Sequence, residues 1–251
     1  MIRIISSELV ENEISIFGTN ISSDTRSAGY NIGDLLNIPH LAGFWQATPH
    51  NSPEDLSRLY TIGEYYKRSM LSYYIEARPY DEVVPSIYRI KGALERCICN
   101  RTKEEEDELL PFIDVVQDQK TLCVHIRCGD KIVEAEFIAL IQDFAKKFTR
   151  VFIFSGLHLD EYFVSNEAKK RNFLQTMNHL LTADNIHLVL CDPDIHLILM
   201  MKASNLLLHK GGFSAIGLIV GRGNIFVTKL LDVLNETWKT NVDTKYTFIE
   251  I

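Results

Sequence analysis

The segment HIRCGDK, from His125 to Lys131, places two side chains that can bind an anion at the end of an apolar stretch. His125 and Arg127 are two residues apart, so on a β-strand they point to the same face. Gly129 allows a sharp turn, and a guanidinium binds a phosphate through two parallel hydrogen bonds. This spacing fits a phosphate site at a strand end as well as it fits a salt-bridge cluster on a surface loop.

A second segment, KGGFS at residues 210–214, lies between a predicted strand and a predicted helix. Backbone N–H groups in such a turn, the helix dipole and the Ser214 hydroxyl can together bind an anion. An ordinary glycine-rich turn has the same appearance. The pair of segments therefore favours a phosphate site more than either segment does alone.

Acidic side chains near these segments are candidates for specificity or for proton transfer. Asp192 is best explained as a helix cap, which leaves Asp194 and His196 for contacts to a base or a ribose. A lone histidine on a helix is, however, more often structural. Glu134, followed by Glu136, is positioned to take a proton from an acceptor hydroxyl, although acids are also favourable in the first turn of a helix.

Both segments belong to a regular alternation in the second half of the chain. Apolar periodicity predicts strands at residues 121–127, 151–154, 186–190, 205–208 and 224–228, and helices at residues 134–148, 160–182, 194–203, from 213 and at 230–238. Such alternation predicts a mostly parallel sheet with helices on both faces. Ligands bind these sheets at the carboxyl ends of the strands, where both segments lie.

The first half has a less regular pattern. It predicts strands at residues 1–5 and 13–17 and helices at residues 54–76 and 85–99. Thr102 and Glu105 have the spacing of a capping box at the start of an acidic helix. We expect a boundary near residue 117, with residues 1–117 as one lobe and residues 118–251 as a second.

Composition limits the class of protein. The chain has 251 residues, of which 46% are hydrophobic and 24% charged, as is typical of globular proteins. A net charge of −7 argues against binding to a nucleic-acid backbone, and uninterrupted apolar runs of about 20 residues, which would predict a membrane span, do not occur. Five cysteines without a C-x-x-C pair argue against a zinc ribbon and favour a reducing, cytoplasmic compartment.

Three segments, in order, resemble the fucosyltransferases that share an H-x-R-x-G/T-D motif. VHIRCGDK at residues 124–131 is similar to this motif, most of all to its form in α1,6-fucosyltransferases, which continues to Glu-Ala-x-Phe as EAEF does at residues 134–137. VFIFS at residues 151–155 resembles the strand before the second motif of the family. Residues 194–214 resemble the segment of the family that begins Asp-Ile-His.

The resemblance implies an α/β, GT-B-like fold of two Rossmann-like lobes with mostly parallel sheets, here with a reduced N-terminal lobe on the acceptor side. It implies metal-independent, inverting transfer of a sugar, fucose from GDP-fucose in the family, to a glycan hydroxyl. By the same resemblance, Arg127 would stabilise the departing diphosphate, and Glu134 would be the base with Lys131 beside it. The donor-binding residues would be His125, Gly129, Asp130, Ser155, Asp194, Lys210, Gly211, Gly212, Phe213 and Ser214.

Two other interpretations stay open. Gly156 and Leu157 stand where the family has an acidic pair, so the donor's base and sugar are not fixed. The short N-x-G-D pattern at Asn31–Asp34 suggests instead a relative of polysaccharide pyruvyltransferases. The missing acids suggest a non-catalytic protein that binds a nucleotide sugar or a glycan.

Overall fold

The computed structural model describes residues 2–7, 103–128, 132–156, 165–191, 193–211, 213–214, 217–218, 221–228 and 246–249. These ranges hold seven strands and four helices. In chain order they are β1 (Arg3–Ile5), α1 (Lys103–Gln117), β2 (Thr121–His125), α2 (Ala135–Ala145), β3 (Arg150–Phe154), α3 (Asn166–Leu180), β4 (Ile186–Leu190), α4 (Pro193–Lys202), β5 (Asn205–Leu208), β6 (Asn224–Thr228) and β7 (Tyr246–Ile249). Residues 213, 214, 217 and 218 are also helical.

The strands form one seven-stranded sheet in the order β1-β4-β3-β2-β5-β6-β7. Every neighbouring pair is parallel except β1 and β4, which are antiparallel. The central strands β2 and β5 are buried along their whole length. This explains their continuous apolar sequences, because a strand covered on both faces has no solvent side. The predicted α/β architecture with a mostly parallel sheet is confirmed.

The order of the strands reverses at β2. From β2 the chain adds β3 and then β4 on one side, and it then crosses back to place β5 on the other side of β2. The six parallel strands therefore have the order of doubly wound sheets. In such sheets a crevice opens at the carboxyl ends of the two strands that flank the reversal. Here these strands are β2 and β5, and they end side by side at His125 and Leu208.

Each face of the sheet is covered by helices. On one face the main core packs α2 and α3 against the strands, and it includes Phe137, Ile141, Phe173, Met177, Leu122, Val124, Val151, Ile153, Leu188 and Leu207. Helix α1 packs against β2 and against α4. Since side chains alternate along a strand, Cys123 and His125 point away from the face that carries Leu122 and Val124.

Most predicted elements of the second half are present, with different ends. β2 ends at His125, two residues before the predicted end, and α2 and α3 are shorter than predicted. Strand β7 was not predicted. The elements expected at residues 13–17, 54–76, 85–99 and 230–238 lie outside the described residues.

Two segments from residues 1–117 lie on this sheet. β1 pairs with β4 at the edge, with Arg3 opposite Leu190 and Ile5 opposite Leu188. Helix α1 ends at Gln117 and packs beside β2, which follows it in the chain. Ile5 and Val116 are both buried. The sheet therefore draws on both sides of the boundary expected near residue 117.

Candidate functional site

The site lies where β2, β3 and β5 end. The His209 N–H donates to the carbonyl of His125 at 3.1 Å, which continues the pairing of β2 and β5 by one residue. The Ile126 N–H donates to the carbonyl of Phe154 at 3.0 Å, which does the same for β2 and β3. Residues 126–127 are thus held beside residues 209–211. The fold brings together the two segments that the sequence singled out, although about 80 residues separate them.

Arg127 lies against the glycine turn. Gly211 has a φ of 90°, a conformation that side chains with a Cβ rarely adopt. A Cβ built on it would also lie 2.9 Å from Cδ and 2.9 Å from Nη1 of Arg127. The backbone angle therefore favours glycine, and a side chain here would make the Arg127 side chain shift. The guanidinium is therefore positioned beside the turn predicted to bind an anion.

His125 and Ser214 form a second link between the segments. The Nδ1 atom of His125 and the Oγ atom of Ser214 are 2.6 Å apart, and both side chains are buried. The His125 ring also packs against the Phe213 ring, with centroids 5.0 Å apart. These contacts fix the start of the helical residues at 213–214 relative to the end of β2.

His209 occupies a position between Arg127 and Glu134. Its Nδ1 lies 3.3 Å from the Arg127 backbone nitrogen, and its Nε2 lies 2.8 Å from Oε2 of Glu134. A backbone N–H can only donate, so Nδ1 is the acceptor and Nε2 carries the proton. Burial lowers the pKa of His209 to about 4, although the hydrogen bond to Glu134 opposes the shift. The imidazole is neutral at pH 7, with one defined tautomer.

Glu134 immediately precedes α2 and has both carboxylate oxygens engaged. Oε2 accepts from His209, and Oε1 accepts from the Lys210 ammonium. Burial by itself would raise the pKa of Glu134, but the hydrogen bonds from Lys210 and then His209 outweigh it and bring the pKa to about 2. A general base works best with a pKa near the working pH. The geometry therefore favours a positioning role for Glu134 over proton abstraction.

The described side chains of this cluster carry more positive than negative charge. Arg127 and Lys210 are cationic, Glu134 is anionic, and His209 is neutral. Lys210 and Glu134 are partly exposed, whereas His209 is fully buried. The cluster therefore combines a rigid buried histidine with charged groups that solvent can reach. Such an arrangement can bind an anionic ligand at the edge of the sheet.

Two residues near the site have structural contacts. The buried Ser155 hydroxyl donates to the carbonyl of Ile126 at 2.8 Å, which ties the end of β3 to β2. The buried His196 donates from Nε2 to the carbonyl of Val189 at 2.8 Å and packs on Phe154 with ring centroids 5.2 Å apart. The polar contact of His196 is to the backbone, so it supports a structural role for this residue.

The structure describes most of the predicted site residues. Seven of them meet at the carboxyl edge of the sheet: His125, Arg127, Glu134, Lys210, Gly211, Phe213 and Ser214. Gly129, Asp130, Lys131 and Gly212 lie outside the described residues, and Asp194 is described only as a helical residue of α4. Their proposed roles stay predictions.

His209 was not predicted from the sequence as a site residue. Its neighbours in space, Arg127 and Glu134, are 82 and 75 residues away along the chain, so no local motif contains them. One signal was available: His209 directly follows the last residue of a fully buried strand, and it precedes Lys210. A polar residue at that position belongs to the edge where ligands bind.

Comparisons with known proteins leave the site to be interpreted from its own chemistry. No family model, no curated protein and no solved structure matches this chain. Within the described ranges, no cluster of three or more His, Cys, Asp or Glu side chains is arranged to hold a metal ion. None of the helices described is long and apolar enough to cross a membrane.

Proposed function

We propose that this chain is a glycosyltransferase that binds a nucleoside-diphosphate sugar at the carboxyl edge of the sheet. It would transfer the sugar, with inversion, to a hydroxyl of a glycan acceptor. The observation that carries the proposal is the placement of Arg127 on the Gly211 turn, beside the reversal of the strand order. That position is where doubly wound sheets hold ligands.

Arg127 is the residue we expect to act on the reaction. When the bond to the sugar breaks, negative charge grows on the departing diphosphate. A guanidinium already held in place stabilises that charge more in the transition state than in the ground state, so it raises the rate as well as the affinity. The carboxyl ends of β2 and β5 are packed by buried side chains such as His125 and His209, which lowers the local dielectric and strengthens the interaction.

The resemblance to fucosyltransferases supports the same substrate class. Its first and third segments, residues 124–131 and 194–214, meet through the contacts of His125 with Ser214 and of Arg127 with Gly211. GDP-fucose is therefore our first candidate donor. Within this proposal the architecture is GT-B-like, the N-terminal lobe predicted at residues 1–117 would bind the acceptor, and the protein would work in the cytoplasm without a metal or a further cofactor.

The proposal assigns Glu134 a different part from the one the resemblance implies. A carboxylate with a pKa near 2 and two cation or N–H partners is a weak base. We propose that Glu134 orders Lys210 and His209. The group that deprotonates the acceptor is then sought among other residues, of which Asp130 and Lys131 are the nearest candidates in sequence.

Binding and turnover with arginine variants test the proposal. We expect GDP and GDP-fucose to bind and to raise the melting temperature, and we expect transfer or hydrolysis of GDP-fucose to be detectable. Arg127→Ala should weaken GDP binding at least about tenfold, the equivalent of about 1.4 kcal/mol, and abolish turnover. Arg127→Lys keeps the charge but loses the bidentate grip, so turnover should fall more than binding. Arg171→Ala, on the exposed side of α3, is the matched control.

Three outcomes separate the proposal from its alternatives. Stabilisation by phosphoenolpyruvate and not by any nucleotide would replace it with a pyruvyltransferase-like function. GDP-fucose that binds through Arg127 but is neither transferred nor hydrolysed would replace it with a non-catalytic binding protein. Unchanged turnover in Arg127→Ala would overturn the assignment of the site.

A further inference from the structure

The contacts of Glu134 differ in how easily they can break. One oxygen accepts from His209, whose side chain is 0% exposed, and the other accepts from Lys210, whose side chain is 22% exposed. His209 is held in addition by the Arg127 backbone and by the Phe137 ring, at a centroid distance of 4.4 Å. Lys210 has a flexible four-carbon stem. If one partner leaves Glu134, it is the lysine.

Lys210 also adjoins the place where an anion would bind. It directly precedes Gly211, against which the Arg127 side chain lies. A ligand phosphate that reaches the Arg127 guanidinium is therefore within the range of the Lys210 stem. Before binding, the negative charge nearest to Lys210 in the described structure is that of Glu134.

A phosphate and the Glu134 carboxylate would then compete for the same ammonium. Charge favours the diphosphate in such a competition, because at a given distance the Coulomb energy with the ammonium grows with the charge of the anion. A carboxylate carries one negative charge, whereas a diphosphate carries two or more. A ligand with a single negative charge gains little by the exchange.

From this geometry, and resting on the proposed function, we infer that Glu134 is a built-in counter-ion for Lys210 which a ligand diphosphate displaces. Glu134 thereby sets the minimum charge that a ligand needs to occupy the site. After the exchange, Lys210 and Arg127 bind the diphosphate together, and Glu134 keeps its hydrogen bond from His209. The site selects ligands with two or more negative charges over singly charged anions and neutral sugars.

Glu134→Gln tests this inference directly. The amide oxygen still accepts from Nε2 of His209, while the amide NH₂ has nothing to offer the lysine, so Lys210 is released. We expect inorganic pyrophosphate and GDP, titrated by calorimetry, to bind about tenfold tighter than to the wild type, within the usual range of coupling between interacting groups. Cyclic GMP, whose phosphodiester carries a single negative charge, should gain affinity relative to GDP, because the charge threshold is removed.

A double-variant cycle tests whether the gain in affinity in Glu134→Gln comes from the release of Lys210. Lys210→Ala should weaken pyrophosphate binding, and Glu134→Gln should bring a much smaller gain in that background, limited to the loss of its direct repulsion of the anion. Glu136→Gln is the matched control, since Glu136 lies exposed in the first turn of the same helix. Lys120→Ala, exposed just before β2 at the opposite edge of the sheet, controls for general loss of positive charge.

A second variant guards against a change in folding. Glu134→Asp keeps the charge but is one methylene shorter, so it holds Lys210 less well, and pyrophosphate affinity should rise by a smaller factor. Unchanged or weaker pyrophosphate binding in both Glu134 variants overturns the inference. So does a gain of the same size in the Lys210→Ala background, because the lysine would then be uninvolved.

The same titrations separate this inference from the proposed function. If neither pyrophosphate nor GDP binds the wild type or any Glu134 variant, or if Arg127→Ala leaves their binding unchanged, the proposed function fails. If binding requires Arg127 but the Glu134 variants gain nothing, the proposed function stands and only the exchange at Lys210 fails.

Discussion

The side chain of Arg127 lies directly on the backbone of Gly211, so close that a Cβ on that glycine would lie 2.9 Å from both Cδ and Nη1 of the arginine. The Arg127 side chain therefore occupies space that a side chain at residue 211 would take. Nothing in the spacing of HIRCGDK or KGGFS indicates this contact. It makes the turn and the arginine one unit, which a substitution at either residue will disturb.

Substitutions at Gly211 should separate its two roles. Gly211→Ala brings both the cost of a positive φ, about 1–2 kcal/mol of unfolding free energy, and displacement of Arg127. Asn tolerates positive φ better but carries the same Cβ. We expect Gly211→Asn to be more stable to urea than Gly211→Ala, and both to lose GDP affinity as Arg127→Ala does. Wild-type GDP affinity in Gly211→Ala would contradict the structure of the site.

Two amide substitutions at His125 test its bond to Ser214. The Asn amide extends as far as the Nδ1 position of the ring, whereas the Gln amide extends to the Nε2 position. Because Nδ1 is the atom 2.6 Å from Oγ of Ser214, His125→Asn should keep more stability and more GDP affinity than His125→Gln. Urea unfolding and calorimetry measure the difference. The opposite order would mean that the Nε2 side of the ring matters more.

Ser155→Ala distinguishes a structural serine from a donor-binding one. Its hydroxyl is buried and donates to the carbonyl of Ile126. Removal should cost about 1–2 kcal/mol of unfolding free energy, since the carbonyl loses its partner, and GDP affinity should change less than twofold once the folded fraction is accounted for. A tenfold loss of affinity at unchanged stability would restore the donor-binding role that the resemblance implies for Ser155.

The free energy of unfolding should decrease in two overlapping steps as the pH is lowered. Burial lowers the pKa of His196 and that of His209 to about 4, and Glu134 has a pKa of about 2. A group whose pKa is lower in the folded state binds protons more readily when unfolded, so stability falls as pH falls. The histidine contributions are complete above about pH 6.5 and disappear toward pH 4. The Glu134 contribution is lost between about pH 4.5 and pH 2.

His196→Gln isolates one of the two histidine contributions. The amide can still donate to the Val189 carbonyl, but it does not titrate. For the wild-type residue the lowered pKa corresponds to about 3 kcal/mol between pH 7 and pH 4. Urea unfolding at a series of pH values should show a flatter profile in His196→Gln. His179→Gln, at an exposed position on α3, should keep the wild-type slope.

The strands and helices of the second half follow from local physics. Short apolar runs such as residues 151–154 and 205–208 predict strands, and the helical spacing at residues 134–148 predicts α2, because these patterns depend only on neighbouring residues. Strand β7 has a weak pattern, with two of its four residues exposed, and it was missed. The order of the strands was not predictable, since it depends on which faces pack against which helices.

The predicted site divides in the same way, into features that are visible in the local sequence and contacts that depend on the fold. The chemistry of Arg127, Glu134 and the glycine turn is visible in residue types and spacing. The His209 contacts are not, because they join residues that only the reversal of strand order brings together. The same contacts change the expected role of Glu134, since a carboxylate with two fixed partners differs chemically from a free one.

The pairing of β1 with β4 has a consequence for how the chain is divided. Arg3–Ile5 forms one edge of the sheet, and the next described element, α1, begins at Lys103, so the described sheet includes a strand that lies far upstream of α1 in the sequence. A fragment beginning at residue 118 would leave the backbone of β4 uncovered, and open strand edges of this kind drive aggregation. A fragment that keeps the described sheet whole therefore needs residues 3–5 as well as residues 103–249.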